Sequence, residues 1–144
     1  MMTDIDPVVR QQVTDLVLQY AAGIDGRDWK LFRACFTDDC VADYGDDVGR
    51  WESADAITQF MEQVHADCGH TMHQIGNQVV RADGDGYAAR SYVDAVVLRA
   101  DNRKGLQMLG YYDDEFVSTT DGWKIARRRF TSVLTTRIAS RSET

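Results

Sequence analysis

The amino-acid sequence predicts a cone-shaped α+β barrel, in which three N-terminal helices pack on one face of a strongly curved, mainly antiparallel (mixed) sheet. The first half of the 144-residue chain carries apolar residues at helical spacing. The second half contains four long extended segments separated by short turn sequences. A cone of this size leaves a pocket between helices and sheet, a usual place for a small ligand.

The first helix is predicted from one apolar face and two end signals. Pro7 fits its first turn, with Asp4 or Asp6 as the cap, and Gly26 ends it. Its apolar face is formed by Val13, Leu16, Val17, Tyr20 and Ile24.

Two further helices are predicted before residue 69. Asp28 can cap a short second helix, which is expected to end at Asp38 and Asp39 and to be followed by a short strand over 41–44. Ser53 can cap a third helix, on which His65 is expected to be exposed. The second helix would carry Trp29, Leu31, Phe32 and Phe36, and the third would bury Ile57, Phe60, Met61 and Val64.

Four antiparallel strands are predicted in the remainder of the chain. Turn residues separate them near 83–86, 101–102 and 120–122. The predicted strands cover about 70–81, 86–99, 105–119 and 122–137.

The composition and charge of the chain exclude several classes of protein. The 44% hydrophobic and 27% charged residues indicate a globular protein, and the length predicts one domain over 1–144 with a core from about 8 to 136. A net charge of −7 argues against a nucleic-acid partner, and no apolar run is long enough to cross a membrane.

The cysteines predict a reducing compartment and no metal site. Three cysteines, together with an acidic N-terminus unlike an export signal, favour the cytoplasm. The spacing of Cys35, Cys40 and Cys68 matches no metal-binding pattern, and no cofactor is expected.

Several segments together resemble SnoaL-like proteins of the nuclear-transport-factor-2-like superfamily, over about residues 8–136. The similarity is strongest to a group that includes scytalone dehydratase, bile-acid 7α-dehydratase and hexachlorocyclohexane dehydrochlorinase. The matching segments are Tyr20–Asp25 with Trp29 and Phe32, Phe36–Asp39, His73–Asn77, Tyr112–Phe116 and Gly122–Arg128.

The resemblance implies a catalytic Asp–His pair. The family places an Asp at the end of the first long helix and a His at the start of the first long strand, which are Asp25 and His73 here. Tyr20 matches a tyrosine of the bile-acid dehydratase, and Arg128 matches an arginine of the dehydrochlorinase. Without that resemblance, a helix-end role for Asp25 and a core role for His73 would be the simpler interpretations.

The residue types fit an elimination. A histidine is suited to remove a C–H proton at neutral pH, and a carboxylate on its other ring nitrogen orients it and stabilises the imidazolium. Strand alternation predicts that His73 shares one face with Ile75, Asn77 and Val79.

Three further polar residues are candidates for the site. Arg128 lies on the more apolar face of the last strand, where it could stabilise Asp25, bind a leaving group, or form a structural salt bridge with Asp94 or Asp114. Tyr20 and Tyr44 are candidate acids or hydrogen-bond donors, although packing explains Tyr20 equally well.

The remaining candidates would bind the substrate. Asp94 is predicted to face inward, where a carboxylate is costly unless it is paired or used. The apolar candidates for the pocket wall are Trp29, Phe32, Met61, Met108, Phe116, Phe130 and Leu134, which would suit an apolar, even polycyclic substrate.

The leading hypothesis is therefore a cofactor-independent lyase, most concretely a dehydratase acting on a small molecule. A ketosteroid-isomerase-like or polyketide-cyclase-like enzyme would begin with the same proton abstraction. A non-catalytic ligand-binding or structural subunit of the same fold is the alternative from a different class. The resemblance also implies a homo-oligomer, a trimer or a dimer.

Overall fold

The computed structural model describes residues 5–139 and contains, within them, three helices and a six-stranded sheet. The helices are α1 (Pro7–Asp25), α2 (Trp29–Arg33) and α3 (Ala54–Ala66). The strands are β1 (Phe36–Asp43), β2 (Arg50–Trp51), β3 (Cys68–Asp83), β4 (Gly86–Arg99), β5 (Gly105–Thr119) and β6 (Gly122–Ile138).

Each helix begins at a side-chain cap predicted from the sequence. Asp6 accepts a hydrogen bond from the Val8 amide, Asp28 from the Leu31 amide, and Ser53 from the Ala56 amide. Asp4, the other candidate cap of α1, lies outside the described residues. Helix α1 ends at Gly26 as predicted.

The sheet has the order β2-β1-β6-β5-β4-β3 and is mixed. Strands β3 to β6 form the predicted antiparallel meander, while β1 pairs with β6 in parallel and with β2 antiparallel. The sheet remains open, since β2 and β3 form its two edges. Helices packed on this sheet confirm the predicted α+β class.

Phe36 belongs to β1, so its predicted place in the second helix is wrong, as is a helix end at Asp38 and Asp39. Helix α2 ends within one and a half turns, and the Cys35 carbonyl then accepts from the Ile125 amide of β6. Phe32 and Phe36 are both buried. Their four-residue spacing is compatible with one face of a helix. In the structure, Phe36 instead enters the same core from strand β1.

A bulge in β3 reverses the faces of its second half. Ile75 pairs with Val93 and Gln78 pairs with Ser91, so β3 holds one extra residue between these pairs. Val79 is consequently 57% exposed. The prediction that Asn77 and Val79 share the face of His73 is wrong for this reason.

The core lies between the three helices and the inner face of the sheet. Gly23 allows the closest approach of the first two helices, because a Cβ there would lie 2.9 Å from the Phe32 backbone nitrogen. Within residues 5–139, none of the helices is long and apolar enough to span a lipid bilayer.

Candidate active site

Asp25 and His73 meet where the end of α1 reaches β3. The imidazole Nδ1 of His73 lies 2.8 Å from Asp25 Oδ1, and the His73 backbone N–H donates to Asp25 Oδ2 over 2.8 Å. One residue of the strand therefore holds both oxygens of the carboxylate. The His73 side chain is 7% exposed and that of Asp25 is 25% exposed.

A second layer of hydrogen bonds fixes the carboxylate. Thr71 Oγ1 donates to Asp25 Oδ1 over 2.9 Å and accepts from Arg27 Nη1 over 2.8 Å. Arg27 also donates to the carbonyls of Ile24 and Gly69, from a left-handed backbone conformation with φ of 55°. Burial raises the pKa of Asp25, but the hydrogen bonds from His73 and Thr71 outweigh it and hold that pKa below its ordinary value. The carboxylate is therefore ionised at neutral pH.

His73 lines a mainly apolar cavity of about 230 Å³ between the helices and the inner face of the sheet. With Nδ1 bound to Asp25, no group within residues 5–139 forms a hydrogen bond with Nε2. The cavity is lined by Tyr20, Ile24, Tyr44, Val48, Phe60, Met61, Val64, His65, His73, Ala95, Val97, Leu106, Met108, Tyr112 and Phe130.

Tyr20 and Tyr44 place a pair of hydroxyl groups on the same cavity, with their oxygens 2.6 Å apart. Burial raises the pKa of both hydroxyls, and the Arg128 charge opposes that rise. Both groups are therefore protonated at neutral pH. In such a pair one hydroxyl donates to the other, which leaves one proton to be donated to a ligand.

Arg128 forms a structural salt bridge with Asp114 and lies behind the cavity wall. Its Nε and Nη2 donate to the two Asp114 oxygens over 2.7 and 2.8 Å, and both side chains are fully buried. The guanidinium is sandwiched between the rings of Tyr20 and Tyr112, 4.0 and 3.8 Å from their centroids. Burial lowers the pKa of Arg128, but the Asp114 charge outweighs it, so the guanidinium stays charged. Of the alternatives raised from the sequence, the structure shows the Asp114 pair, and no bond to Asp25 or Asp94.

Asp94 lies on the outer face of the sheet, so the prediction that it faces inward is wrong. Its inward neighbours on β4 are Val93 and Ala95, which are buried, and its carboxylate accepts from Gln107 Nε2 over 2.9 Å. Alternation could not identify the inner face, because both faces of β4 carry apolar side chains in this segment.

Only some of the predicted wall residues line the cavity. Met61, Met108 and Phe130 line the cavity, as does Tyr44. Phe32 and Phe116 are buried in the core behind it, and Leu134 is exposed. The remaining candidate, Trp29, packs its ring against Phe32 and His65.

His65 lies on the cavity wall, so the prediction that it is exposed is wrong. It is buried and lies beside His73 on the wall. The sequence does contain a signal for this burial: Ile57, Met61 and His65 recur every four residues, and all three are buried on one face of α3.

The cysteines are free thiols. Burial raises the pKa of Cys35 to about 12 and that of Cys40 to about 11, so neither is a thiolate nucleophile at neutral pH. Among residues 5–139, no three His, Cys, Asp or Glu side chains converge in a way that could hold a metal ion.

One protein family matches most of this chain. The chain belongs to the SnoaL-like domain family, whose model matches residues 9–129. This confirms the resemblance found in the sequence. An uncharacterized protein of Mycobacterium tuberculosis is 34% identical over 123 residues, which cover 83% of this chain and 82% of that protein.

Solved structures share the architecture. A proposed aromatic ring hydroxylase of Novosphingobium aromaticivorans superposes with a TM-score of 0.86 at 25% identity, over 93% of this chain and 96% of its own. A proposed scytalone dehydratase of the same species gives 0.82 at 20% identity, over 95% of each chain. A hexachlorocyclohexane dehydrochlorinase gives 0.83 at 15% identity, over 95% of this chain and 93% of its own. At these lower identities the likeness concerns the fold.

Proposed function

We propose that this protein is a cofactor-independent lyase that catalyses a dehydratase-type elimination. The observation that carries the proposal is the Asp25–His73 hydrogen bond at the wall of an apolar cavity. A proposed dehydratase and a dehydrochlorinase share the fold, which makes elimination a chemistry that this scaffold accommodates.

His73 is the base. Because Nδ1 donates its proton to Asp25, the neutral ring has its lone pair on Nε2, where it can accept a proton from a substrate carbon. The electron pair of the broken C–H bond forms the double bond. The ionised Asp25 stabilises the imidazolium that results.

The leaving hydroxyl departs from the neighbouring carbon with the C–O electron pair. The Tyr20–Tyr44 pair donates a hydrogen bond to it, since raised pKa values favour a donated hydrogen bond over complete proton transfer. The His73 imidazolium returns its proton to this oxygen and water leaves. The base is thereby regenerated, and protons balance over the cycle.

The cavity suits a compact substrate. Its volume of about 230 Å³ lies below the range of about 300–1,000 Å³ that is usual for drug-sized ligands. Its wall is mostly aliphatic and aromatic. We therefore propose an apolar compound of one or two rings, smaller than the polycyclic substrates that the apolar composition alone suggested.

The test is a screen of one- and two-ring β-hydroxy ketones, in which elimination produces a conjugated enone that absorbs in the ultraviolet. We expect turnover by the wild type and a loss of kcat on the order of 100-fold or more in His73→Ala and Asp25→Asn. His70→Ala is the matched control, because His70 is exposed near the start of the same strand. Equal rates in wild type and His73→Ala would rule out the mechanism. Solvent deuterium exchange or double-bond migration without loss of water would favour an isomerase instead.

We also propose that the outer sheet face packs against a second copy of this chain. The exposed apolar side chains of Tyr92, Leu109 and Val133 surround a depression there, on adjacent strands β4, β5 and β6. Exposed apolar surface of this kind is typical of an interaction site.

A further inference from the structure

The proposed elimination leaves a second imidazole on the cavity wall without a role. His65 lies in the last turn of α3, is 7% exposed and lines the same cavity as His73. The ring of Trp29 packs against it with centroids 5.7 Å apart, so the imidazole is held in place. A buried polar ring at this position is costly unless its nitrogens find partners.

The tautomer of His65 follows from its one hydrogen bond. Nδ1 lies 2.7 Å from the Met61 carbonyl oxygen, and because a carbonyl can only accept, Nδ1 carries the proton. In the neutral ring Nε2 then has an open lone pair. Within residues 5–139, no protein group forms a hydrogen bond with that nitrogen.

The two cavity histidines have different partners. Nδ1 of His73 is bound to a carboxylate, which stabilises a positive ring, whereas Nδ1 of His65 is bound to a neutral carbonyl. Burial lowers the pKa of His65, and the charges of Arg27 and His73 lower it further. The lowered pKa keeps His65 uncharged at neutral pH, so its Nε2 remains an acceptor.

We propose that His65 Nε2 accepts a hydrogen bond from a hydroxyl or N–H group of the substrate, and that it selects ring compounds carrying such a donor. The same wall carries the tyrosine hydroxyls and His73, and its other residues, among them Val97, Leu106 and Met108, are apolar. An analogue without the donor would leave Nε2 desolvated and unpaired, which disfavours its binding. The inference rests on the proposed function only in placing the substrate in this cavity.

Two ligands of nearly equal size test the proposal: 2-naphthol, which has a donor, and 2-methylnaphthalene, which has none. The ratio of their dissociation constants isolates the hydrogen bond from apolar burial. We expect this ratio to shift about tenfold against 2-naphthol in His65→Phe and His65→Leu. His65→Gln should retain the wild-type ratio because its amide oxygen can still accept. His70→Phe is the surface control.

A measurement on the wild-type protein provides an independent test. With ¹⁵N-labelled histidine, 2-naphthol should shift the His65 Nε2 resonance toward that of a hydrogen-bonded nitrogen, and 2-methylnaphthalene should not. Any one of three results would overturn the proposal: an unchanged ratio of dissociation constants in the folded His65 variants, an unmoved Nε2 resonance, or no binding of 2-naphthol to the wild type. These are binding measurements, so failure of the lyase proposal would instead appear as an absence of turnover with the selectivity intact.

Discussion

Arg128 supports the cavity wall without lining the cavity itself. It is the largest fully buried side chain, it pairs with Asp114 through two hydrogen bonds, and its guanidinium supports the ring of Tyr20. Arg128 therefore holds the ring of Tyr20 from behind the cavity wall. We expect substitution of Arg128 to act mainly on the free energy of unfolding.

We expect Arg128→Met to lower the free energy of unfolding by about 3–5 kcal/mol, because the Asp114 charge would remain buried without its partner. Urea denaturation measures this. Arg127→Met is the matched control: its ion pair with Glu115 is exposed, so its loss should cost less than about 1 kcal/mol. Adding Asp114→Leu to Arg128→Met should recover part of the loss. If the double variant is no more stable than the single one, the buried charge is not the cause.

At the same scale, His65 should make stability depend on pH. Its pKa is lowered by burial in the folded state, so between that pKa and its ordinary value near 6.5 the unfolded chain binds more protons. The free energy of unfolding should therefore fall as pH falls below about 6.5, by at most about 1.4 kcal/mol per pH unit.

Urea unfolding between pH 5.5 and 7.5 should show a smaller slope in His65→Phe than in wild type, and an unchanged slope in His70→Phe. Asp25 affects stability over a different pH range. Because its pKa is lowered in the folded state, its contribution to the free energy of unfolding is lost only as pH falls below the ordinary carboxyl range. Equal slopes in wild type and His65→Phe would show that His65 takes up its proton equally in both states.

At the scale of elements, the contact between α1 and α2 depends on Gly23. In an ordinary helix, Gly→Ala stabilises by about 1 kcal/mol. Here the new methyl group would lie 2.9 Å from the Phe32 backbone nitrogen, so the two helices would have to separate. We expect Gly23→Ala to lower the melting temperature and to destabilise by about 1–3 kcal/mol. Ala22→Gly, on the exposed side of the same helix, serves as a reference for helix propensity alone. A stabilised Gly23→Ala protein would contradict this close packing.

Local signals predicted the elements well, and long-range pairing explains what they missed. The caps at Asp6, Asp28 and Ser53 are visible within three residues of each helix start. The bulge in β3 depends on the pairing with β4, which no local pattern encodes.

The candidate site was predicted less completely, for the same reason. Asp25 and His73 are 48 residues apart, and their contact was expected only from the family resemblance. The inner face of β4, and with it the position of Asp94, was ambiguous because both faces are apolar. His65 could have been predicted from the spacing of Ile57 and Met61.

At the scale of the whole molecule, the two sides of the sheet differ in the surface that they present. The inner side carries the cavity, and the outer side presents Tyr92, Leu109 and the 69%-exposed Val133. Burial of that face in a dimer or trimer would remove apolar surface from water.

Light scattering coupled to gel filtration should therefore find an oligomer in the wild type and a monomer in Val133→Lys, because a buried lysine at the interface would be unpaired. Val8→Lys introduces the same charge at an exposed position of α1 and should leave the assembly intact. A monomeric wild type at all concentrations would refute the assembly, and an unchanged mass in Val133→Lys would place the interface elsewhere.

His73 binds Asp25 through both its imidazole and its backbone N–H, and only the imidazole contact depends on the side chain. The backbone N–H that binds Oδ2 belongs to the peptide, so it survives any side-chain replacement at residue 73 except proline. His73→Ala would lose the proposed base and still anchor the end of α1 to β3, with the cavity and its hydroxyl pair in place. Under the proposed mechanism, such a protein would bind the substrate without converting it. It is thus the natural reagent for capturing the unknown compound from a metabolite extract and identifying it by mass.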